Sequence, residues 1–191
     1  MKKFSAISLL GCLFLACQSA NATVGEQLDY EYYDVYATPN QSLLTTLNQA
    51  SPIHESGHTF HGHTHWNVKW HFRWQEASSH ASCRIIQVQT ELTAKIQLPH
   101  LLHPTAQQER QFDQYVSALR VHELGHVENG RQAALEIDQG ILNLPEMENC
   151  AALESAANAL GHRILRQYND KDEQYDAATD HGKTQGASLR N

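Results

Sequence analysis

Between Thr64 and Trp74 the chain alternates. Trp66, Val68, Trp70, Phe72 and Trp74 fall on one side, and His65, Asn67, Lys69, His71 and Arg73 on the other. A period of two predicts a half-buried β-strand. The polar stretch 75–82 reads as a turn, and residues 83–98 alternate again, with Ile86, Val88, Leu92, Ile96 and Leu98 on one face. Together these runs predict a long hairpin. A further strand is expected at 29–36, where Asp-Tyr-Glu-Tyr-Tyr-Asp-Val-Tyr is rich in β-formers. Pro39-Asn40 breaks it, and Leu43, Leu44 and Leu47 mark one side of a short helix over 41–50 that ends at Ser51-Pro52. Pro99 and Pro104 are expected to bracket a linker.

From Thr105 the period lengthens. Phe112, Val116, Leu119, Leu124 and Val127 recur at helical spacing, and strong helix formers continue to about Leu142. Gly130 and Gly140 are points where that helix can bend or stop, and Leu144-Pro145 ends it. Asn149 is suited to cap a third helix carrying Leu153, Ala157, Leu160, Ile164 and Leu165, which should end near 170–178 before a polar tail from Thr179. Strands first and helices afterwards predict an α+β fold, with a small antiparallel sheet packed against long helices.

The N-terminus changes where this domain is expected to work. Met1-Lys2-Lys3, an apolar run from Phe4 to Ala16, and Ala20-Asn21-Ala22 follow the order of a secretory signal peptide cleaved after Ala22. One domain over 23–191 then remains, in the periplasm or secreted. Leu13-Phe14-Leu15-Ala16-Cys17 resembles a lipobox, so a lipid anchor at Cys17 is the competing reading. The apolar run is too short for a permanent membrane span, and no other stretch is long enough. The formal charge of −7 falls to about −9 once Lys2 and Lys3 are removed, which disfavours nucleic acid and anionic membranes as partners. Beyond the leader only Cys83 and Cys150 remain. In an exported protein they read as one disulfide, contributing roughly 4 kcal/mol in the chain-entropy model. Thiolate metal ligation is the weaker alternative, because neither belongs to a C-x-x-C pair.

The candidate chemistry lies inside the strongest helical segment. Val121-His122-Glu123-Leu124-Gly125-His126 contains H-E-x-x-H. Residues four apart share a helix face, so His122 and His126 can offer ring nitrogens to one zinc ion, with Glu123 as general base toward a water there. Gly125 leaves the outer side of that turn open to close approach. A catalytic zinc takes a third protein ligand. The metzincin extension is absent, since Asn129 and Gln132 stand where its glycine and histidine would be. Glu154, His162, Asp176 and His181 are the candidates further along. His54, His58, His61, His63 and His65 also crowd together, as a solvated loop or as an accessory metal site. Neither G-x-S-x-G nor a P-loop occurs.

The chain resembles a family of secreted bacterial proteins, domain of unknown function 922, taken to be zinc-dependent proteases. The resemblance covers Tyr32-Tyr33-Asp34-Val35, the Trp66/Val68/Trp70 strand, Cys83 and Cys150, His122-Glu123-Leu124-Gly125-His126 and Ala156-Ala157-Asn158-Ala159-Leu160-Gly161. It extends through Tyr175-Asp176-Ala177-Ala178-Thr179-Asp180-His181-Gly182-Lys183-Thr184-Gln185-Gly186-Ala187. It implies a zincin-like fold and a Cys83–Cys150 pair. It favours His181 over Glu154 as the third zinc ligand, with Tyr175 as a donor to the developing oxyanion or as packing at the helix end. The expected function is peptide hydrolysis by an exported zinc enzyme. The rival is a non-catalytic envelope domain that binds zinc or a partner.

Overall fold

The computed structural model describes residues 24–77 and 82–189. The expected leader, with Cys17 and Ala22, lies outside the described residues. In chain order the elements are β1 (Val24–Tyr36), α1 (Leu43–Ala50), β2 (Ile53–Glu55), β3 (His58–Phe60), β4 (His63–Glu76), β5 (Cys83–Leu102), α2 (Ala106–Leu142) and α3 (Cys150–Thr179). A short 3-10 turn over Lys183–Gln185 follows.

β4 and β5 form the expected hairpin, and β1 completes a three-stranded sheet in the order β1-β5-β4. The sheet is mixed, not antiparallel as expected: β1 runs parallel to β5, with Val24 opposite Thr90 and Tyr36 opposite Leu102. Alternation fixes the faces of a strand and is silent about its neighbour. A parallel neighbour needs a long connection, and residues 37–62, carrying α1 and the separate β2–β3 hairpin, supply the route from β1 to β4.

Two further expectations give way to tertiary context. Ile86 is 45% exposed, whereas Ile85 is buried. Trp74 pairs with Ile85 and Arg73 with Gln87, so Ile86 is the extra residue of a β-bulge that reverses the alternation. Pro99 opens no linker, because β5 continues to Leu102. β4 ends level with Gln97, so at Pro99 the strand has a neighbour on one side only, where proline is tolerated.

The helices begin where their caps predict. Thr105 and Gln108 form a capping box at α2, and Asn149 accepts from the Ala152 N–H at 2.8 Å at α3. α2 passes Gly130 and Gly140 unbroken. A Cβ on Gly130 would lie 3.0 Å from the Trp66 ring, so the missing side chain is the room in which Trp66 packs. α2 crosses β4 and β5 and packs along α3. Two apolar clusters result, one around Leu92, Ile137 and Ile164 and one around Val35, Ile96 and Val127, and Trp66 touches both. Cys83 and Cys150 are disulfide-bonded, tying the start of β5 to the start of α3. Among the described residues no helix is long and apolar enough to cross a membrane.

Candidate metal centre

One stripe of α2 faces a cleft: Tyr115, Leu119, His122, Glu123 and His126, at helical spacing. His122, Glu123 and His126 are 3%, 3% and 8% exposed, an unusual depth for three ionisable side chains. The Nε2 atoms of His122 and His126 lie 3.0 and 3.1 Å from the same oxygen, Oδ1 of Asp176, in the last turns of α3. These three residues are the one group of His, Cys, Asp or Glu among the described residues whose ligand atoms, all within 4.8 Å of one another, can hold a metal ion.

The far side of each imidazole is fixed as well. His122 Nδ1 donates to Gln185 Oε1 at 3.0 Å, and His126 Nδ1 donates to Asp172 Oδ1 at 3.0 Å. Those acceptors place the ring proton on Nδ1 and turn each Nε2 toward Asp176. Asp172 is itself held by Asn129 at 2.7 Å and by the Trp66 indole N–H at 2.6 Å. Burial opposes a charge on His126, but hydrogen bonds to Asp172 and Asp176 outweigh it and push its pKa up to about 10. Burial likewise raises Asp176, yet His122 and His126 prevail and hold its carboxyl well below the usual range. Positive charge on His126 is favoured by the Asp176 carboxylate beside it. His122, His126 and Asp176 would hold a divalent cation, which would supply that positive charge, so the donor set fits a metal.

Glu123 sits beside this group, and Thr64 donates to its Oε2 at 2.7 Å. Burial raises its pKa, opposed by that hydrogen bond and by His126 and His122. Gly62 makes the placement possible, since a Cβ there would stand 2.4 Å from Glu123 Oε1. The bare side of Gly125 is filled from within the chain. Tyr175 enters it, stacks on His122 with ring centroids 5.0 Å apart, and donates to the His122 carbonyl at 3.2 Å. It is not among the residues lining the cleft.

His181 reaches the cleft by an unusual backbone. Asp180, His181 and Gly182 all adopt positive φ, at 48°, 50° and 83°, and this left-handed run turns the chain back over α3. His181 Nδ1 lies 3.6 Å from Asp176 Oδ1, and its ring lies 4.8 Å from that of Phe60. It is therefore a neighbour of the three candidate donors, next to Asp176. Glu154 is exposed near the start of α3. It stands 22 residues, about 33 Å along a helix axis, from Asp176, and His162 packs against Trp70 instead. Neither can reach the site. The histidine cluster is split: His54 is exposed on the β2–β3 hairpin, His58 and His63 are exposed residues bordering the cleft, His65 is exposed on β4, and His61 is buried.

Asp172, Thr64 and Gln185 are site residues that spacing along α2 does not reveal. One signal was available. Asp172, Tyr175, Asp176 and Thr179 recur at helical spacing, so they form one polar face on a helix that continues to Thr179.

Fold and site thus define an α+β domain with a small mixed sheet, three helices and a His-His-Asp group in a cleft of about 630 Å³. Residues 30–182 match the family described as bacterial protein of unknown function (DUF922), and the chain belongs to that family. No curated protein and no solved structure matches it.

Proposed function

We propose that this protein is an exported zinc-dependent peptidase with a zincin-like site, in which His122, His126 and Asp176 hold the metal. The observation that carries the reading is the meeting of two imidazole Nε2 atoms at one carboxylate oxygen, beside the buried Glu123. Two histidines and a carboxylate are a ligand set of hydrolytic zinc centres. When bound, zinc supplies positive charge that polarises a carbonyl and acidifies water. Glu123 then acts as the base. Its carboxylate, raised by burial and aimed by Thr64, takes a proton from water as the scissile carbonyl is attacked and passes it to the leaving amine. β4 is an edge strand whose first residues, His63 and Thr64, border the cleft. An extended peptide adding to that edge would lie beside Glu123. Export rests on the leader-like residues 1–22.

Zinc per chain, measured on purified protein, tests the site. Wild type is expected to hold one ion, Asp176→Ala to lose it, and Glu123→Gln to keep zinc while losing hydrolysis of a denatured protein substrate. Hydrolysis surviving in Glu123→Gln would remove the mechanism. A second reading, a non-catalytic zinc domain, draws on His181, which is near enough to Asp176 to serve as a fourth ligand. Four protein ligands close a zinc site, so zinc loss in His181→Ala as complete as in Asp176→Ala would favour that reading.

A further inference from the structure

The metal centre uses one end of the cleft. The other end follows α2 toward its N-terminus for two more turns, through Leu119 to Tyr115, about 12 Å from Glu123 along the axis. The cleft walls carry Leu44, Ile53, Phe60 and Leu189, each only half-buried, so their apolar surface is open to an occupant; Phe60 extends toward the metal centre, its ring 4.8 Å from that of His181.

The buried polar groups at this end are already committed to one another. His61 Nε2 donates to Asn48 Oδ1 at 2.8 Å, and its Nδ1 accepts from the Tyr115 hydroxyl at 2.7 Å. The Tyr33 hydroxyl donates to the His61 carbonyl at 3.0 Å. Among the described residues no buried side-chain polar atom lacks a partner. His61 is thus neither a free ligand nor a free base, and the buried His61–Tyr115 pair offers no free group to a charged or amide side chain. The charged lining residues Glu55, Asp180 and Lys183 are exposed, and Lys183 is paired with Asp180 at 3.0 Å.

We propose that this end of the cleft is a specificity subsite for one bulky apolar side chain, of leucine or phenylalanine size, flanking the scissile bond of a peptide substrate. The inference rests on the peptidase reading and deepens it. A polar side chain entering here would lose its water and meet committed partners, whereas an apolar one gains burial against four open apolar walls. The cleft therefore discriminates by side chain at the same time as it aligns the backbone.

The test separates the metal from the subsite. Zinc-loaded wild type is titrated calorimetrically with N-acetyl-leucine hydroxamate and with 2-isobutylsuccinyl hydroxamate, each beside its unsubstituted parent. The pairs share a metal-binding group and present the isobutyl chain on opposite sides of it. One isobutyl compound is expected to bind at least about tenfold tighter than its parent. In Leu44→Asp that advantage should fall below about threefold while the parent binds as before. Leu189→Asp repeats the test at another wall should circular dichroism report that Leu44→Asp fails to fold. Equal binding of parent and isobutyl compounds in both series overturns the subsite and leaves the metal reading standing. Failure of every hydroxamate to bind zinc-loaded protein overturns the open metal site, and the subsite falls with it.

Discussion

A single absent methyl group decides where the candidate base can point. Gly62 faces Glu123 Oε1 and Leu119 so closely that an alanine Cβ would sit 2.4 Å and 3.0 Å from them. Gly62→Ala is expected to cost about 1–3 kcal/mol of stability. It should keep zinc, because no ligand moves, and lose hydrolysis, because Glu123 does. Zinc content beside peptide turnover checks the split. Two histidines give the metal-free protein opposite pH responses. His61 is buried neutral, with its pKa lowered to about 4. The unfolded chain takes up that proton first, so the stability is present above about 6.5 and lost as pH falls toward 4. His126 is raised to about 10, so its contribution is present below about 6.5 and lost as pH rises through 10. Thermal unfolding from pH 4 to 10 should show an acid limb that flattens in His61→Gln and an alkaline limb that flattens in His126→Gln. The H-E-x-x-H residues were legible because one helical turn sets their spacing. Gly62, Thr64 and Asp172 were not, because each meets the site only across a gap between elements.

At the scale of elements, α3 carries the disulfide at one end and the third candidate donor at the other. Cys150 and Asp176 are 26 residues apart, about 39 Å along the axis. Replacing both cysteines by serine is expected to cost roughly 4 kcal/mol in urea unfolding, with zinc per chain unchanged in the folded protein. Loss of zinc there would mean that the whole helix depends on its far anchor. Caps and periods located all three helices and the hairpin within a few residues. The bulge at Ile86, the strand continuing through Pro99 and the uninterrupted α2 escaped, each for a local reason with a distant cause. Ile86 is displaced by its register against Trp74, Pro99 is permitted by the end of β4, and Gly130 is accommodated by Trp66.

At the scale of the molecule, the candidate centre joins α2 to α3. A metal held by His122 and His126 on one helix and Asp176 on the other binds only where the two are packed, so it stabilises the fold by mass action. Free zinc at one hundred times the dissociation constant adds about 2.7 kcal/mol. Chelation is therefore expected to lower the unfolding temperature of wild type and to leave that of Asp176→Ala unchanged, as differential scanning fluorimetry would record.

The sequence by itself determined what depends on neighbours along the chain. These are the strand faces, the helix starts at Thr105 and Asn149, and His122, Glu123 and His126 sharing one turn of helix. Its two cysteines were expected to pair, and they do. Tertiary structure alone decided the parallel seating of β1 on β5, the meeting of Asp176 with His122 and His126, and the carboxylate behind His126. Periodicity measures rotation about one axis. It carries no information on which turn of a second helix comes to face the first, and that depends on how α2 and α3 pack around Trp66 and Trp70.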